Sequence, residues 1–430
     1  MDRLPQELLD LIAEVVNYED LEPLRLVNKA FAAAAAPSLF EVIPLWIGNR
    51  SLERLTAISK HPQLSQYPKE IFFSPLRFIG YDNDTFYEDK AKVWLEDQPA
   101  SPSTHACTLG EHMSAYRSYI EAQQLLSSND LDVKILSRAF SLLSRVQVLH
   151  VDYDDTYIGS TELIHAFGTF RARDLLTCSG HHTLPVLLQA LAASSLKVKV
   201  FELGSDITYT YSSTDCRVGN YSKGASLQRP QQSISEADFS YPDGISILAL
   251  SRTFCAENFD MCNNAFSGLR KLHVGGIRVT QDDDATLSRI AAALRSLMQC
   301  ALCIESVTLE EIWLYHHLEA VPQPTMSSVL PHGFNNIKQL DVQYYETTAE
   351  FLCDFFGRHR TIVKVDFYSV TITGSNWSTA LKQLRTLDLV LLEVFILSFH
   401  DSAGHDVQVQ DYILKRTDKD PLVEERKQSE

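Results

Sequence analysis

The amino-acid sequence predicts an α/β protein in which strands and helices alternate along a solenoid, preceded by a small all-α domain at the amino terminus. Two patterns support this prediction. A short apolar motif recurs through most of the chain, with helical periodicity between its copies. The first 45 residues differ from the rest because 26 of them, about 58%, are apolar, against 45% of the whole chain.

Composition excludes several classes of function. The chain has 430 residues, with 38 Lys and Arg against 55 Asp and Glu, so its formal net charge is −17. This length predicts roughly two or three structural units. We expect no nucleic-acid partner, because such partners are bound chiefly through Lys and Arg and the sequence has no basic stripe.

The apolar segments and the cysteines bear on location. The most apolar run, residues 389–399, has eleven residues and contains Glu393, whereas about 20 are needed to span a bilayer. We therefore expect no membrane partner. The eight cysteines are scattered and no secretory signal is recognisable. These features predict an intracellular protein of the cytoplasm, the nucleus or both.

Three short helices are predicted within the first 45 residues. Pro5 suits the first turn of the first helix, Asp20 suits the N-cap of the second, and Lys29–Ala36 form the third, which ends before Pro37. The first helix carries apolar residues at helical spacing: Leu8, Leu11, Ile12, Val15 and Val16. Three short helices cannot bury so many apolar groups among themselves, so the excess should contact the rest of the chain or a second protein.

The same segment contains, in order, LPQELLDLIAEVV, EDLEPLRLVNKAF and APSLF, and in this it resembles an F-box. The resemblance implies that the helices dock on a Skp-type linker protein, which joins F-box proteins to a cullin and RING scaffold. It assigns five residues to that contact, namely Leu4, Pro5, Leu8, Leu24 and Val27. A helical cap on the following domain would also explain the segment.

The recurring motif reads apolar-x-x-apolar-x-apolar. Clear copies have as their middle residues Leu149, Phe201, Leu272, Val307, Leu340, Val365 and Leu387, and weaker copies have Leu175 and Leu248. Five of the eight intervals between successive copies are 22 to 26 residues, a spacing typical of leucine-rich repeats. Helices are predicted between them at 161–170, 184–194, 285–300, 348–359 and 376–384. Because one repeat cannot bury its own apolar face, the repeats must stack.

The predicted fold is therefore an irregular leucine-rich-repeat-like α/β solenoid over residues 146–414, after an F-box at residues 1–45. Between them, residues 46–145 are expected to form a helical connecting and capping region, with helices at 111–126 and 131–143. A polar stretch at 204–244 predicts a mobile insertion, and residues 415–430 a disordered tail. The sequence EFLCDFFGRHRTIVKVDFYSVTITGSNWSTALKQLRTLDL is similar to the C-terminal repeats of fungal F-box proteins.

Motifs for catalysis or cofactor binding are scarce. The sequence has no glycine-rich nucleotide loop and no Gly-x-Ser-x-Gly elbow. Cys300 and Cys303 form a single C-x-x-C, which we interpret as two buried thiols, and the His181-His182 pair lacks the spacing of two ligands on one helix face. We predict no catalytic residue, no cofactor and no metal.

Polar residues recur in the strands at the position that points away from the buried side chains. This column reads His150, Glu202, His273, Thr308, Asp341, Asp366 and Asp388, and a second column reads Asp152, Glu310, Gln343 and Tyr368. Carboxylates on neighbouring strands would attract Lys or Arg of a target protein. We therefore predict a target site at Asp341, Asp366, Asp388 and Tyr368, although an acidic protein would also place ordinary solvated residues there.

Taken together, the sequence predicts a non-catalytic adaptor of an SCF-type ubiquitin ligase. The F-box would dock on the linker while the repeats bind an unidentified protein target and present its lysines, so that transfer depends on proximity. Two alternatives stay open. The chain could be a scaffold that acts with the linker without ubiquitin transfer, or an enzyme whose site is assembled from dispersed residues.

Overall fold

The computed structural model describes residues 4–75, 77–78, 109–151, 176–177, 180–204, 247–275, 277–279, 284–310, 312–314, 324–399 and 406–422. The chain divides into two compact units. One comprises Met1–Leu196 with Asp206–Gly244, and the other Lys197–Ser205 with Ile245–Glu430. Both units combine helices with mainly parallel strands, so the α/β class predicted from the sequence is confirmed.

The first unit begins with three helices and continues with strands and longer helices. Its elements are α1 Gln6–Val15, α2 Tyr18–Arg25, α3 Lys29–Leu39, β1 Val42–Trp46, α4 Asn49–Lys60, β2 Glu70–Ser74, β3 Arg77–Phe78, α5 Leu109–Ser128, α6 Leu131–Leu142, β4 Val148–Val151, β5 Leu176–Thr177 and α7 Thr183–Ala193. Strands β1, β2 and β4 are parallel neighbours, with Ile43, Ile71 and Leu149 in register. Strands β3 and β5 form a separate antiparallel pair.

Helices α1 to α3, which we call the helical cluster, enclose an apolar core of their own. The core consists of Leu9, Ala13, Leu21, Phe31, Ala34, Ala35 and Leu39. Asn28 caps α3, because its side-chain oxygen accepts a hydrogen bond from the Phe31 N–H at 2.9 Å. The small side chains of Ala34 and Ala35 let the other helices pack close to α3, which explains the alanine run.

Two predicted helix boundaries in the helical cluster are wrong. Helix α2 begins at Tyr18, after Asn17, rather than after Asp20. Helix α3 continues through Pro37 to Leu39. Pro37 gives up only the hydrogen bond that its own N–H would have made, and the next turn closes because the Phe40 N–H donates to Ala36 at 3.0 Å.

The second unit contains a larger sheet with helical connections. Its elements are β6 Val200–Leu203, α8 Ile247–Thr253, α9 Phe259–Phe266, β7 Lys271–Val274, β8 Ile277–Val279, α10 Asp284–Cys300, β9 Ser306–Leu309, β10 Ile312–Leu314, α11 Met326–Val329, β11 Gln339–Gln343, β12 Glu346–Thr347, α12 Ala349–Arg358, β13 Lys364–Tyr368, β14 Thr371–Ile372, α13 Trp377–Leu384, β15 Val394–Ser398, β16 Asp406–Gln408 and α14 Gln410–Ile413. Strands β6, β7, β9, β11, β13 and β15 are parallel neighbours in that order, and β16 pairs antiparallel with β15.

Alternating burial explains this larger sheet. Leu340, Val342, Val365 and Phe367 are fully buried, whereas the residue between each pair is only half-buried. The predicted helices at 184–194, 285–300, 348–359 and 376–384 are confirmed within one or two residues, and the one at 161–170 lies outside the described residues. Thr348 and Asn376 cap their helices through side-chain hydrogen bonds, as their residue types suggest.

Three of the predicted repeat strands are wrong. The copy around Leu175 is β5, which pairs with β3 outside the parallel sheet, and the copy around Leu248 is helix α8. The copy at 384–389 is the end of α13 and the turn after it. The strand of that repeat is β15, because a second copy of the motif, Leu392, Phe395 and Leu397, follows and buries all three side chains.

The segment predicted as a helical connection is not entirely helical. Helices α5 and α6 lie where they were expected, but β2 and β3 also lie within residues 46–145, and β1 crosses its start. The signal for β1 is present in the sequence, since Ile43 is the middle residue of an apolar-x-x-apolar-x-apolar motif. The signal for β2 is incomplete, because Ile71 and Phe73 fit the motif but position 68 is a proline. Parallel strands of the first unit therefore begin directly after the helical cluster.

The predicted tail is partly ordered. Arg385 donates a hydrogen bond to the carbonyl of Thr417 at 2.6 Å and pairs with Asp418, and Ser378 donates to Asp420 at 2.6 Å. Residues 415–422 therefore pack on α13 instead of being disordered. Residues 205–244 of the predicted insertion, and 423–430, lie outside the described residues. None of the helices whose structure is described has both the length and the hydropathy required to cross a membrane.

Candidate functional site

Helix α1 is apolar on two faces. Leu9, Ile12, Ala13 and Val16 point into the core of the helical cluster. Leu4, just before the helix, and Leu8, Leu11 and Val15 point away from it, with 40%, 45%, 55% and 81% of their surface exposed. These four residues, which we call the outer α1 face, recur every three or four positions and therefore form one stripe.

The outer α1 face is not left over from an incomplete core, because the helical cluster is already closed by its own apolar side chains. The sequence indicated that three helices could not bury all these groups, and the outer α1 face is the part that stays exposed. Burying one such side chain stabilises a complex by roughly 1.5–3 kcal/mol. Such a stripe is typical of a helix that binds a groove or helix of another protein.

The five predicted linker residues do not all lie on the surface. Leu4, Pro5, Leu8 and Val27 are exposed. Leu24 is half-buried and packs against the core of the helical cluster, because it follows Leu21 by three positions and shares its inward face. At the end of α2 the exposed leucine is Leu26, with 80% of its surface accessible, and the sequence prediction missed it.

A second candidate site lies on the sheet of the second unit. The strand register places Glu202, His273, Thr308, Asp341 and Asp366 side by side on successive strands, and we call these residues the polar column. Neighbouring strands lie about 4.8 Å apart, so adjacent members of the polar column interact electrostatically. His273 is buried and the others are half-buried.

The histidine of the polar column is paired with an acid. Nε2 of His273 lies 2.8 Å from Oε1 of Glu310. Thr308 lies opposite His273 on the neighbouring strand β9, and Glu310 is the residue directly after that strand. Burial alone would lower the pKa of His273, but the hydrogen bond and charge of Glu310, together with Glu202 and Asp341, raise it. The sequence placed both residues in its two columns but did not predict this pair, which depends on the register of β7 and β9.

The two aspartates of the polar column have perturbed acidity. Burial and the charge of Asp366 raise the pKa of Asp341 to about 6, although a hydrogen bond from Gln343 and the charges of His273 and Lys364 act in the opposite direction. The pKa of Asp366 is also raised, mainly by burial and also by Asp406, while Lys364 opposes the rise. The charge of Asp341 therefore changes around pH 6.

The other predicted target residues have different positions. Tyr368 is half-buried at the end of β13 and packs edge-to-face on Tyr344, with 5.1 Å between the ring centroids. Asp388 is exposed in the turn before β15 and is not in the polar column, where the residue opposite Asp366 is Ile396. The predicted position of Asp388 in this column is wrong, because the prediction assigned the strand of this repeat to the earlier of two successive motifs.

The predicted pair of buried thiols is correct only for Cys300, since Cys303 is exposed. Among the residues that the structure describes, no group of three His, Cys, Asp or Glu side chains is arranged to hold a metal ion. No family model matches the chain, and no curated protein is significantly similar to it in sequence.

The space that holds Glu310 beside His273 is provided by a glycine. A Cβ atom at Gly275 would lie 2.1 Å from Oε2 of Glu310, so Gly275→Ala should push the carboxylate away from the imidazole. We expect the pKa of His273 to fall in this variant, because burial then acts with less opposition. Nuclear magnetic resonance titration of the imidazole would measure it. Gly333→Ala is the matched control, since nothing lies within 4 Å of a Cβ there, and an equal pKa in all three proteins would contradict the prediction.

Proposed function

We propose that the protein is a non-catalytic adaptor of an SCF-type ubiquitin ligase and acts inside the cell. The helical cluster would be an F-box that docks on a Skp-type linker and, through it, on a cullin and RING scaffold. The remaining α/β structure would be an irregular leucine-rich-repeat-like solenoid that binds a protein target. The single observation that carries this proposal is the outer α1 face, a full apolar stripe exposed on a helix whose other face already fills a core.

The linker contact would use the outer α1 face together with the exposed end of α2. Leu8 and Leu11 occupy the middle of the stripe, and Leu26 and Val27 follow α2. A partner could cover these side chains without disturbing the packing of the helical cluster, because none of them belongs to its core. Leu24 would support the contact indirectly by holding α2 against that core.

The target contact would use the polar column. Asp341, Asp366, Glu202 and Glu310 give this part of the sheet several carboxylates, and the net charge of −17 gives the whole chain a negative field. A basic segment of a target protein would be attracted to this surface. The Tyr344 and Tyr368 rings at the strand ends add an aromatic surface on which Arg or Lys side chains can pack.

Affinity purification with mass spectrometry tests the adaptor proposal. The full chain should bring down a Skp-type linker, a cullin and a RING protein, and the double variant Leu8→Asp with Pro5→Ala should bring down none of them. Deleting the first 45 residues is a poorer test, because it removes most of β1, which pairs with β2. Capture of the linker without a cullin would favour the scaffold alternative, and capture of neither would count against both.

Reversing a charge in the polar column should weaken target capture. Asp366→Lys places a cation between Asp341 and the last parallel strand, and we expect it to reduce capture of a basic target at least about fivefold at low salt. The matched control is Asp388→Lys, which makes the same charge change at an exposed residue outside the polar column. Proteins retained by wild type and by the control, measured by quantitative mass spectrometry, should be depleted with Asp366→Lys. Equal depletion in both variants would show that only net charge matters.

A further inference from the structure

A cavity of about 330 Å³ lies in the first unit, between the start of α4 and helix α5. Its apolar wall is formed by three aromatic side chains, Trp46, Phe78 and Tyr119. The Phe78 and Tyr119 rings are stacked with 4.9 Å between centroids, and Trp46 lies 6.5 Å and 6.4 Å from them. The volume is at the small end of the range for ligand sites, and the wall suits a flat ring system.

An indole donor lies at this cavity. Trp46 as a whole residue is only 3% exposed, and none of the hydrogen bonds between described residues is donated by its indole N–H, although this N–H is not among the fully buried polar atoms that lack a partner. The ring edge that carries Nε1 lies against Gly48, because a Cβ atom at Gly48 would be 3.2 Å from Nε1. Buried indole N–H groups normally find an acceptor. A ligand atom beside Gly48 would provide one.

The same end of the cavity is electropositive. Gly48 is the N-cap residue of α4 and has no side chain to cap the free N–H groups of the first turn, and Arg50 of that turn also lines the cavity. The amide of Gln123 is already used, because it both accepts from the Phe78 N–H and donates to the Phe78 carbonyl. No acidic side chain occurs among the described lining residues. The described lining therefore places a cation and a helix N-terminus at this end of the cavity, with no carboxylate beside them.

We propose that this cavity binds a small planar aromatic molecule that carries one anionic group. The ring would pack against Trp46, Phe78 and Tyr119. The anionic group would accept hydrogen bonds from the Trp46 indole and the first turn of α4, and it would pair with Arg50. The lining of this site shares no residue with the outer α1 face or the polar column, so this proposal does not depend on the adaptor proposal.

Calorimetric titration of the full chain with 2-naphthoate tests the proposal. We expect saturable binding with one site per chain. The neutral 2-naphthamide lacks the anionic group, and cyclohexanecarboxylate lacks the aromatic ring. Each should therefore bind at least about fivefold more weakly than 2-naphthoate. No saturable binding of 2-naphthoate up to about 5 mM, or equal binding of the amide, would overturn the proposal.

Three variants locate the site. Ala122→Leu fills the cavity from α5 and should weaken binding at least about tenfold, and Arg50→Gln should weaken it about fivefold. Trp46→Phe keeps a ring but removes the indole N–H, and should weaken binding about threefold. The matched control is Lys60→Gln, which removes a charge from the other end of α4 and should bind as wild type. Arg50 is exposed, so its variant remains informative if Ala122→Leu unfolds, and wild-type affinity in Arg50→Gln would contradict the proposal.

Discussion

Replacing Leu8 by Asp is expected to reduce binding of a Skp-type linker by roughly 100-fold. Leu8 is in the middle of the outer α1 face and is 45% exposed in the free chain. In a complex it would be covered, and an unpaired carboxylate in an apolar contact is unfavourable by about 3 kcal/mol or more, which corresponds to that loss of affinity. Surface plasmon resonance with purified linker measures the change. Combining Leu8→Asp with Pro5→Ala should abolish co-purification.

This effect should not come from unfolding. Leu8 lies outside the core of the helical cluster, so far-UV circular dichroism and the melting temperature should stay close to those of wild type. Leu125→Asp is the matched control, since Leu125 is a 61% exposed leucine on α5 and the variant carries the same chemical change. Unchanged linker binding by Leu8→Asp would remove the main support for the adaptor proposal.

Replacing Asp341 by Asn is expected to stabilise the protein at neutral pH and not at acidic pH. The folded state raises the pKa of Asp341 from 3.8 to about 6, chiefly by burial and by the charge of Asp366. A carboxyl group that holds its proton more tightly when folded destabilises the folded state wherever it is ionised. We therefore expect Asp341→Asn to raise the free energy of unfolding by roughly 1–3 kcal/mol at pH 7.5.

The pH dependence has a definite direction. The destabilisation by Asp341 is fully present above pH about 6, decreases as pH falls toward 3.8, and is absent below that value. The gain from Asp341→Asn should decrease over the same interval. Urea unfolding at a series of pH values measures it, and Asp388→Asn, at an exposed residue outside the polar column, serves as control. A gain that does not depend on pH would show that the carboxyl charge is not its cause.

Much of the second unit could be predicted from sequence because its signals are local. Alternating burial in short strands and the positions of α12 and α13 depend on neighbouring residues only, and they were predicted. The position of β15 was missed because two successive motifs fit equally well, and only packing selects Phe395 over Leu387. The same error placed Asp388 in the polar column.

The candidate sites were only partly predictable. The sequence gives α1 one broad apolar stripe, and it is the packing of α1 against α3 that turns Leu9 inward and Leu8 outward. The pairing of His273 with Glu310 depends on strand register, and the cavity at Trp46 depends on how β1, β3 and α5 come together. Such relations between distant segments have no local signature.

The connection between α3 and β1 is only two residues long. Phe40 packs against the core of the helical cluster, while the Glu41 carbonyl accepts hydrogen bonds from the N–H groups of Lys69 and Glu70 and its carboxylate pairs with Lys69 at 2.8 Å. Both residues of this connection are therefore held by contacts on either side, so it is a rigid link and not a flexible linker. A protein bound to α1 would therefore keep a fixed orientation relative to β1 and β2. This would limit the range of positions that the bound protein could reach on a neighbouring molecule.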